Sequence, residues 1–389
     1  MKAHKNIILL SIFNFLLGFY LYGAIIVIYF SQLTGSYALA MGLFSITMIG
    51  AAALEIPTGI YSDLIGRRKT VILGSFAILL SSIFYAWGFS YAVLIIGALF
   101  EALSRAFFSG NNDALLYDSL AASGKEKDYD EYLGKVSSTE QAALAVSAVL
   151  GGIIAAISMK LVVWLAVIPN IFLVVIAFQL VDIRRYKIES GNIFNHLKEA
   201  LLVFKKSYKL RLLSLASIIE FAFGETGFTF NPVFINSLWP LWAVGISRAL
   251  SFAGGSISFF FAGKIIKKFK ALPTLFANSL ISRIITSLAI LIANVFSPAL
   301  MSMTSLLYGS SEVASNTLLQ KEFTDKQRAT LSSINSLLGS LAFGIISVLV
   351  GLIADKLNPR STLLILQIFL LIPMFIYWRI FKHDKKDIH

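Results

Sequence analysis

Long apolar stretches broken by short polar interruptions run the whole length of the chain. Each stretch is about 18 to 25 residues or longer, the length a helix needs to cross a hydrocarbon layer of about 30 Å. The stretches are continuously apolar. Alternating polarity in segments of about ten residues would mark barrel strands instead, so helices are expected. The pattern predicts twelve spans, at 7–30, 38–60, 70–89, 91–121, 136–158, 161–181, 209–238, 239–262, 273–296, 298–320, 329–355 and 361–381. Connections as short as 88–91 and 238–239 require antiparallel neighbours. One long polar stretch, 182–211, lies midway and carries Arg184, Arg185, Lys187, Lys198, Lys205, Lys206 and Lys209. The expected organisation is therefore all-α and polytopic: a six-helix bundle over 1–181, a linker over 182–208, and a second six-helix bundle with a short tail over 209–389. Within the linker, Ile193, Leu197, Ala200, Leu201 and Phe204 fall at helical spacing and predict an amphipathic surface helix over 192–204.

Composition agrees, with 57% hydrophobic and 14% charged residues. The first apolar run is too long for a signal-peptide core and lacks a small-residue cleavage pattern, so the first span is expected to stay in the protein. Absence of cysteine excludes disulfides, thiolate metal sites and cysteine nucleophiles. A net charge of +12 raises the question of nucleic acid, and the placement of the basic residues answers it. Arg105, Arg248 and Arg283 lie inside spans, and Lys160, Lys356 and Arg360 lie near one set of connections. The remaining Lys and Arg sit at the N-terminus, in the alternate connections and in the tail. That is the positive-inside distribution of a cell (inner) membrane protein with both termini cytoplasmic. Separate short basic loops without interleaved aromatics do not form a nucleic-acid surface. A repeat supports the two halves: Val149-Leu-Gly-Gly-Ile-Ile-Ala155 matches Val348-Leu-Val-Gly-Leu-Ile-Ala354 at five of seven positions.

Between the second and third spans runs Gly59-Ile-Tyr-Ser-Asp63-Leu-Ile-Gly66-Arg67-Arg68-Lys69. Gly59 is expected to permit close helix approach and Gly66 to supply the backbone freedom of a tight turn, while the basic residues cannot enter lipid. Together with twelve spans and a central loop, Gly-x-x-x-Asp-x-x-Gly-Arg-Arg-Lys resembles the signature of the major facilitator superfamily. The resemblance implies a twelve-helix fold of two pseudo-symmetric halves and secondary transport by alternating access. It further implies a conformational latch built from Asp63, Arg67 and the acidic residue at the inner end of the fourth span, here Asp118 within Asp113-Ala-Leu-Leu-Tyr-Asp118. The corresponding loop of the second half, Gly263-Lys-Ile-Ile-Lys-Lys-Phe-Lys270, has lost the acidic residue, so the latch is expected to be asymmetric. Efflux antiporters of the family often carry a Gly-Pro motif in the fifth span. Here Ala148-Val-Leu-Gly151-Gly152 stands without the proline, and its glycine pair is expected to let helices pack closely. Arg328-Ala-Thr-Leu-Ser332 also resembles a family segment.

Charge inside the spans marks the expected passage. At about 1.5 Å per residue, Glu101, Arg105, Glu220, Glu225, Arg248, Arg283 and Glu312 fall in the middle third of the bilayer. Each would cost about 2.5–3.5 kcal/mol if it faced lipid. Glu101 and Arg105, one turn apart, can neutralise each other. Glu220 and Glu225 have no basic neighbour within a turn of their span. A carboxyl there serves either a coupling proton, a cationic solute or a static pair with Arg248 or Arg283. Glu55, beside Pro57, reads equally as a gating contact or an interfacial carboxylate. Asn14 and Asn231-Pro232 are candidates for polar contacts or a helix break. The histidines all lie in tails or the linker, and no glycine-rich nucleotide loop is present, so no cofactor, metal or ATP chemistry is expected. The leading expectation is a monomeric, non-enzymatic carrier driving proton-coupled efflux of an amphipathic or cationic small molecule. The rival is uptake of a nutrient or anionic metabolite bound by the intramembrane arginines. A channel or a membrane-embedded enzyme ranks lower.

Overall fold

The computed structural model describes residues 2–181, 207–322 and 328–386. The linker over 182–206, with its expected amphipathic helix, lies outside the described residues, as does the chain just before Arg328. Among the described residues there are seventeen α-helices and no strand. Contacts divide the chain into two compact units: Met1–Glu189 with Pro240–Ala249, and Ser190–Trp239 with Leu250–His389.

The first unit contains α1 (Lys2–Gly18), α2 (Ile26–Thr34), α3 (Tyr37–Ile65), α4 (Arg67–Trp87), α5 (Tyr91–Phe108), α6 (Asn111–Ala121), α7 (Tyr129–Ile157), α8 (Met159–Leu165) and α9 (Val167–Gln179). Stop and start signals set these bounds locally. Gly35 and Gly88 end α2 and α4 in the left-handed conformation, and the next helices begin at once under serine caps. Ser36 accepts the Leu39 N–H at 3.2 Å and Ser90 the Val93 N–H at 3.4 Å. The core is Leu10, Phe13, Val71, Leu115, Leu120 and Leu173. Asn6, fully buried, donates to the Ser119 hydroxyl at 3.1 Å and exchanges two bonds of 2.8 Å with the Val181 backbone. One side chain thus fixes the start of α1 against the ends of α6 and α9.

In the second unit lie α10 (Tyr208–Asn236), most of α11 (Leu241–Phe269), α12 (Ala271–Ile292), α13 (Ser297–Met303), α14 (Ser305–Glu322), α15 (Arg328–Lys356), α16 (Pro359–Phe369) and α17 (Leu371–Lys386). Its core is Leu210, Leu213, Leu275, Ala314, Leu331 and Tyr377. Helix pairing inside the two units follows one plan. α1 packs on α7 and α9, as α10 packs on α15 and α17, and α4 packs on α5 and α9, as α12 packs on α14 and α17.

The plan extends to backbone detail. At the corner between α3 and α4, Gly66 has φ 98° and ψ 145°, and at the corner between α11 and α12, Lys270 has φ 65° and ψ 157°. In both, the corner N–H bonds a carbonyl four residues back, Ser62 or Ile266, at 2.9 Å. The threonine four residues on, Thr70 or Thr274, returns to the corner carbonyl by backbone at 3.2 Å and by hydroxyl at 3.1 or 2.7 Å. Glycine adopts this backbone freely, whereas a lysine there is strained by about 1–3 kcal/mol.

Among the described residues, ten helical stretches are long and apolar enough to cross a membrane. Large apolar side chains such as Phe89, Ile157 and Phe260 stand exposed around them, a surface suited to lipid. Several expected spans are corrected in detail. The first is not continuous over 7–30: the helix stops at Gly18 and resumes at Ile26. The fourth breaks at Ser109 and Gly110, where Gly110 takes φ 68°. The sixth, tenth and twelfth are interrupted at Ala166, Thr304 and Leu370, while α10 runs unbroken through Pro232, so of the two readings of Asn231-Pro232 the helix break does not hold. The missing i−4 bond of one proline is absorbed there by a 29-residue helix packed on four others.

Candidate functional site

Each unit holds its own polar cluster. In the first, residues 19–25 leave the helix as consecutive turns, with the Tyr20 N–H on the Gly18 carbonyl at 2.8 Å and the Gly23 N–H on that of Tyr20 at 2.9 Å. The displaced segment carries Tyr20 and Tyr22, whose rings lie 4.3 Å apart, and Tyr22 meets Tyr85 of α4 edge-on at 6.2 Å. Gly97 on α5 leaves the space that the Tyr85 ring fills. The Tyr85 hydroxyl then donates to Glu101 Oε2 at 2.9 Å. Glu101 Oε1 accepts Nε and Nη2 of Arg105 at 3.0 and 2.9 Å. Glu101 is 7% exposed, yet the Arg105 side chain is 53% exposed. An exposed guanidinium at mid-span is stable facing water but not facing lipid.

The second cluster joins five helices. Tyr377 of α17 donates its hydroxyl to Glu220 Oε2 of α10 at 2.7 Å. Arg283 of α12 donates to Gln367 Oε1 of α16 at 3.1 Å and lies close enough to act electrostatically on Glu220. On α14, Glu312 accepts from Asn316 at 3.2 Å. Tyr308, one turn before Glu312, is within electrostatic reach of Glu220, Glu225 and Glu312 together. Glu225 is half-buried and engaged; Arg248, also half-buried and engaged, lies in the part of α11 that belongs to the first unit. Of the carboxylate–arginine pairs expected, Glu101 with Arg105 is present as a salt bridge, while Glu220 is bonded by a tyrosine. Asn14 is buried and donates to the Leu10 carbonyl of its own helix at 2.9 Å, a local bond. Glu55 is exposed and accepts from the Ser109 hydroxyl at 3.1 Å, across the break in the fourth span.

Around the Gly66 corner, Arg67 Nη1 pairs with the buried Asp118 Oδ2 at 3.4 Å. Arg68 Nη2 donates to the Phe178 carbonyl of α9 at 2.7 Å, bracing α4 on α9. Asp63 is exposed on the last turn of α3 and makes no ion pair among the described residues. Gly59 needs correction: nothing described within its unit comes near enough to demand a glycine. The glycine pair of α7 stands at two close backbone approaches. A Cβ on Gly151 would strike the Leu21 carbonyl in the break of the first span, and one on Gly152 would meet the backbone of Trp242 and Gly245.

The sequence pattern that defines the Major Facilitator Superfamily matches residues 8–346. The chain belongs to the major facilitator superfamily. It is similar to the uncharacterised MFS-type transporter YxaM of Bacillus subtilis, 23% identical over 403 residues, covering 92% of this chain and 96% of YxaM. A shorter match, 26% identical over 157 residues, joins 40% of the chain to 39% of the uncharacterised MFS-type transporter MJ1560 of Methanocaldococcus jannaschii. Among solved structures, a variant of the nucleoside transporter NupG superposes with a TM-score of 0.84 at 14% identity, covering 96% of this chain and 99% of that one. The Escherichia coli fucose:proton symporter FucP superposes with a TM-score of 0.62 at 13% identity, covering 97% and 98%.

As a major facilitator the chain is a multi-pass membrane transporter with the fold of that superfamily, and its activity is secondary transport. Sequence reasoning found the charged members of both clusters and missed the uncharged ones: Tyr20, Tyr22, Tyr85, Gln367 and Tyr377. A usable signal was present. A tyrosine or glutamine deep in an apolar span carries a polar end that needs a partner, and the two glycines flanking residues 19–22 mark where a helix can open.

Proposed function

We propose that this facilitator couples proton movement to the export of an amphipathic or cationic small molecule, with Glu220 as the carboxyl that takes and yields the proton. The supporting observation is the contrast between the two clusters. Glu101 is clamped by two N–H donors of one guanidinium, a charge-assisted pair of bonds. Glu220 is held by a hydroxyl, which serves either protonation state because it can donate to a carboxylate or accept from a carboxylic acid. Its nearby counter-charge, Arg283, is engaged by Gln367. Glu220 and Glu312, both within electrostatic reach of Tyr308, outnumber Arg283 in this cluster, an acidic balance that favours a cation.

The same reading divides the chain into halves at 1–181 and 209–389, joined by the 182–208 linker, in a monomer whose termini both face the cytoplasm of a cell membrane. Alternating access carries the solute, and the Arg67–Asp118 pair with Asp63 acts as the latch. In proteoliposomes, Glu220→Gln is expected to abolish transport driven by a pH gradient while leaving solute exchange intact. Gradient-driven accumulation at the wild-type level in Glu220→Gln defeats the assignment. A second reading, proton-coupled uptake of a neutral hydroxylated solute, is favoured by the three tyrosines around the break of the first span. A solute panel scored by thermal stabilisation separates the two.

A further inference from the structure

At the end of the second unit where α10 begins and α17 finishes, two guanidinium groups share one aromatic ring. Tyr208, the first residue of α10, is 46% exposed, and Arg211 lies 5.9 Å from its ring centroid. Arg379 of α17 lies 5.7 Å from the same centroid. One turn on, Lys382 sits 5.3 Å from the ring of Trp378, which is 44% exposed and packs at 5.6 Å on Phe375, 58% exposed. Among the described residues no carboxylate pairs with Arg211, Arg379 or Lys382. The acidic residue that reaches this helix end, Glu322, is taken by Lys209 at 3.6 Å. A comparable arrangement in the first unit shows the difference. There Lys125 and Lys135 flank the Tyr132 ring at 5.9 and 5.1 Å, and Lys135 has its own carboxylate, Glu131, at 2.5 Å.

Three like charges held together by aromatic rings call for an anion from outside the chain. The candidate membrane spans end here, at Tyr208 and at Lys382, so the cluster stands at headgroup level. Planar guanidinium forks suit a phosphodiester, tyrosine and tryptophan suit the interface, and Phe375, about 10 Å deeper along α17, offers an acyl chain an apolar flank. We propose that Tyr208, Arg211, Arg379 and Lys382, with Trp378 and Phe375, form a binding site for one anionic glycerophospholipid, held by its phosphate and bridging α10 to α17.

The test uses the full-length protein in phosphatidylcholine–detergent micelles titrated with phosphatidylglycerol, read by thermal unfolding and by native mass spectrometry. Wild type is expected to gain several degrees and to retain a single phosphatidylglycerol in preference to phosphatidylcholine. Arg211→Gln with Arg379→Gln is expected to melt like wild type in phosphatidylcholine alone, lose the gain, and hold phosphatidylglycerol at least tenfold more weakly. Should that pair of changes impair folding, Lys382→Gln alone is expected to weaken retention by a smaller factor. Unchanged retention in both variants overturns the proposal. So does equal stabilisation of wild type by inorganic phosphate, which would mark a site for free anions. None of these readouts depends on transport.

Discussion

The Glu101–Arg105 pair should be lopsided, and the lopsidedness can be measured. Replacing Arg105 by glutamine removes both donors from Glu101 Oε1 and leaves a carboxylate, 7% exposed, with the Tyr85 hydroxyl as its remaining described partner. Abandoning a buried ion in this way costs about 3–5 kcal/mol when the site is fully dry. Losing hydrogen bonds to a charged group costs about 1.5–3 kcal/mol. Because half of the Arg105 side chain is open, the expectation is about 2–3 kcal/mol. Replacing Glu101 by glutamine instead leaves an oxygen that still accepts from Tyr85 and abandons a guanidinium that water already reaches, at a cost of about 1 kcal/mol. The difference, about 1.5 kcal/mol, is roughly tenfold in the unfolding equilibrium. Reversible unfolding of both single variants and the double variant in one detergent gives these values. The double variant is expected to be more stable than Arg105→Gln alone, since no ion is then stranded. If Glu101→Gln costs several kcal/mol, Arg105 faces lipid rather than water and the reasoning fails. Additive losses in the double variant refute the coupling itself.

Three further expectations concern the backbone. Gly66→Ala places a Cβ where φ is 98°, and should lower stability by about 1–3 kcal/mol in the same unfolding assay. Lys270→Gly should raise it by about 1–2 kcal/mol, because the same corner then loses its strain. A melt that does not rise would show Lys270 to be compensated by contacts. Gly151→Val drives a branched side chain into the Leu21 carbonyl and should cost about 3 kcal/mol or more in stability, visible as loss of monodisperse protein on size-exclusion chromatography.

Lipid-length apolar runs and the placement of Lys and Arg made the fold legible, because a bilayer enforces both without regard to detail. The interruptions at Ala166 and Leu370 had a local signal that the span pattern passed over: Pro169 and Pro373, each three residues on, withhold the N–H that would bond the carbonyls of Leu165 and Phe369. Thr304 lies in a weakly polar run with no such breaker beside it, and its interruption was not legible. Pro232 is the reverse case, a strong local breaker overruled by packing. In the clusters, charge was conspicuous in sequence, so Glu101, Arg105, Glu220 and Arg283 stood out. Tyr85 and Tyr377 could not be told from ordinary interior aromatics until the chain brought their hydroxyls to a carboxylate 16 and 157 residues away. Gly59 misled for the opposite reason: a glycine inside a recognisable motif suggests crowding, and here nothing described within its unit crowds it.

The matching corners at Gly66 and Lys270 bear on how the molecule can deform. Each is locked on both sides by main-chain bonds and by a threonine hydroxyl, and one keeps its path although its residue resists it. Such elbows transmit a tilt of α3 directly to α4, and of α11 to α12, so each pair of helices swings as one lever. Bending must then be taken up where helices are already cut, at residues 19–25 and at the one-residue nicks in the tenth and twelfth spans, beside the two clusters of ionisable side chains.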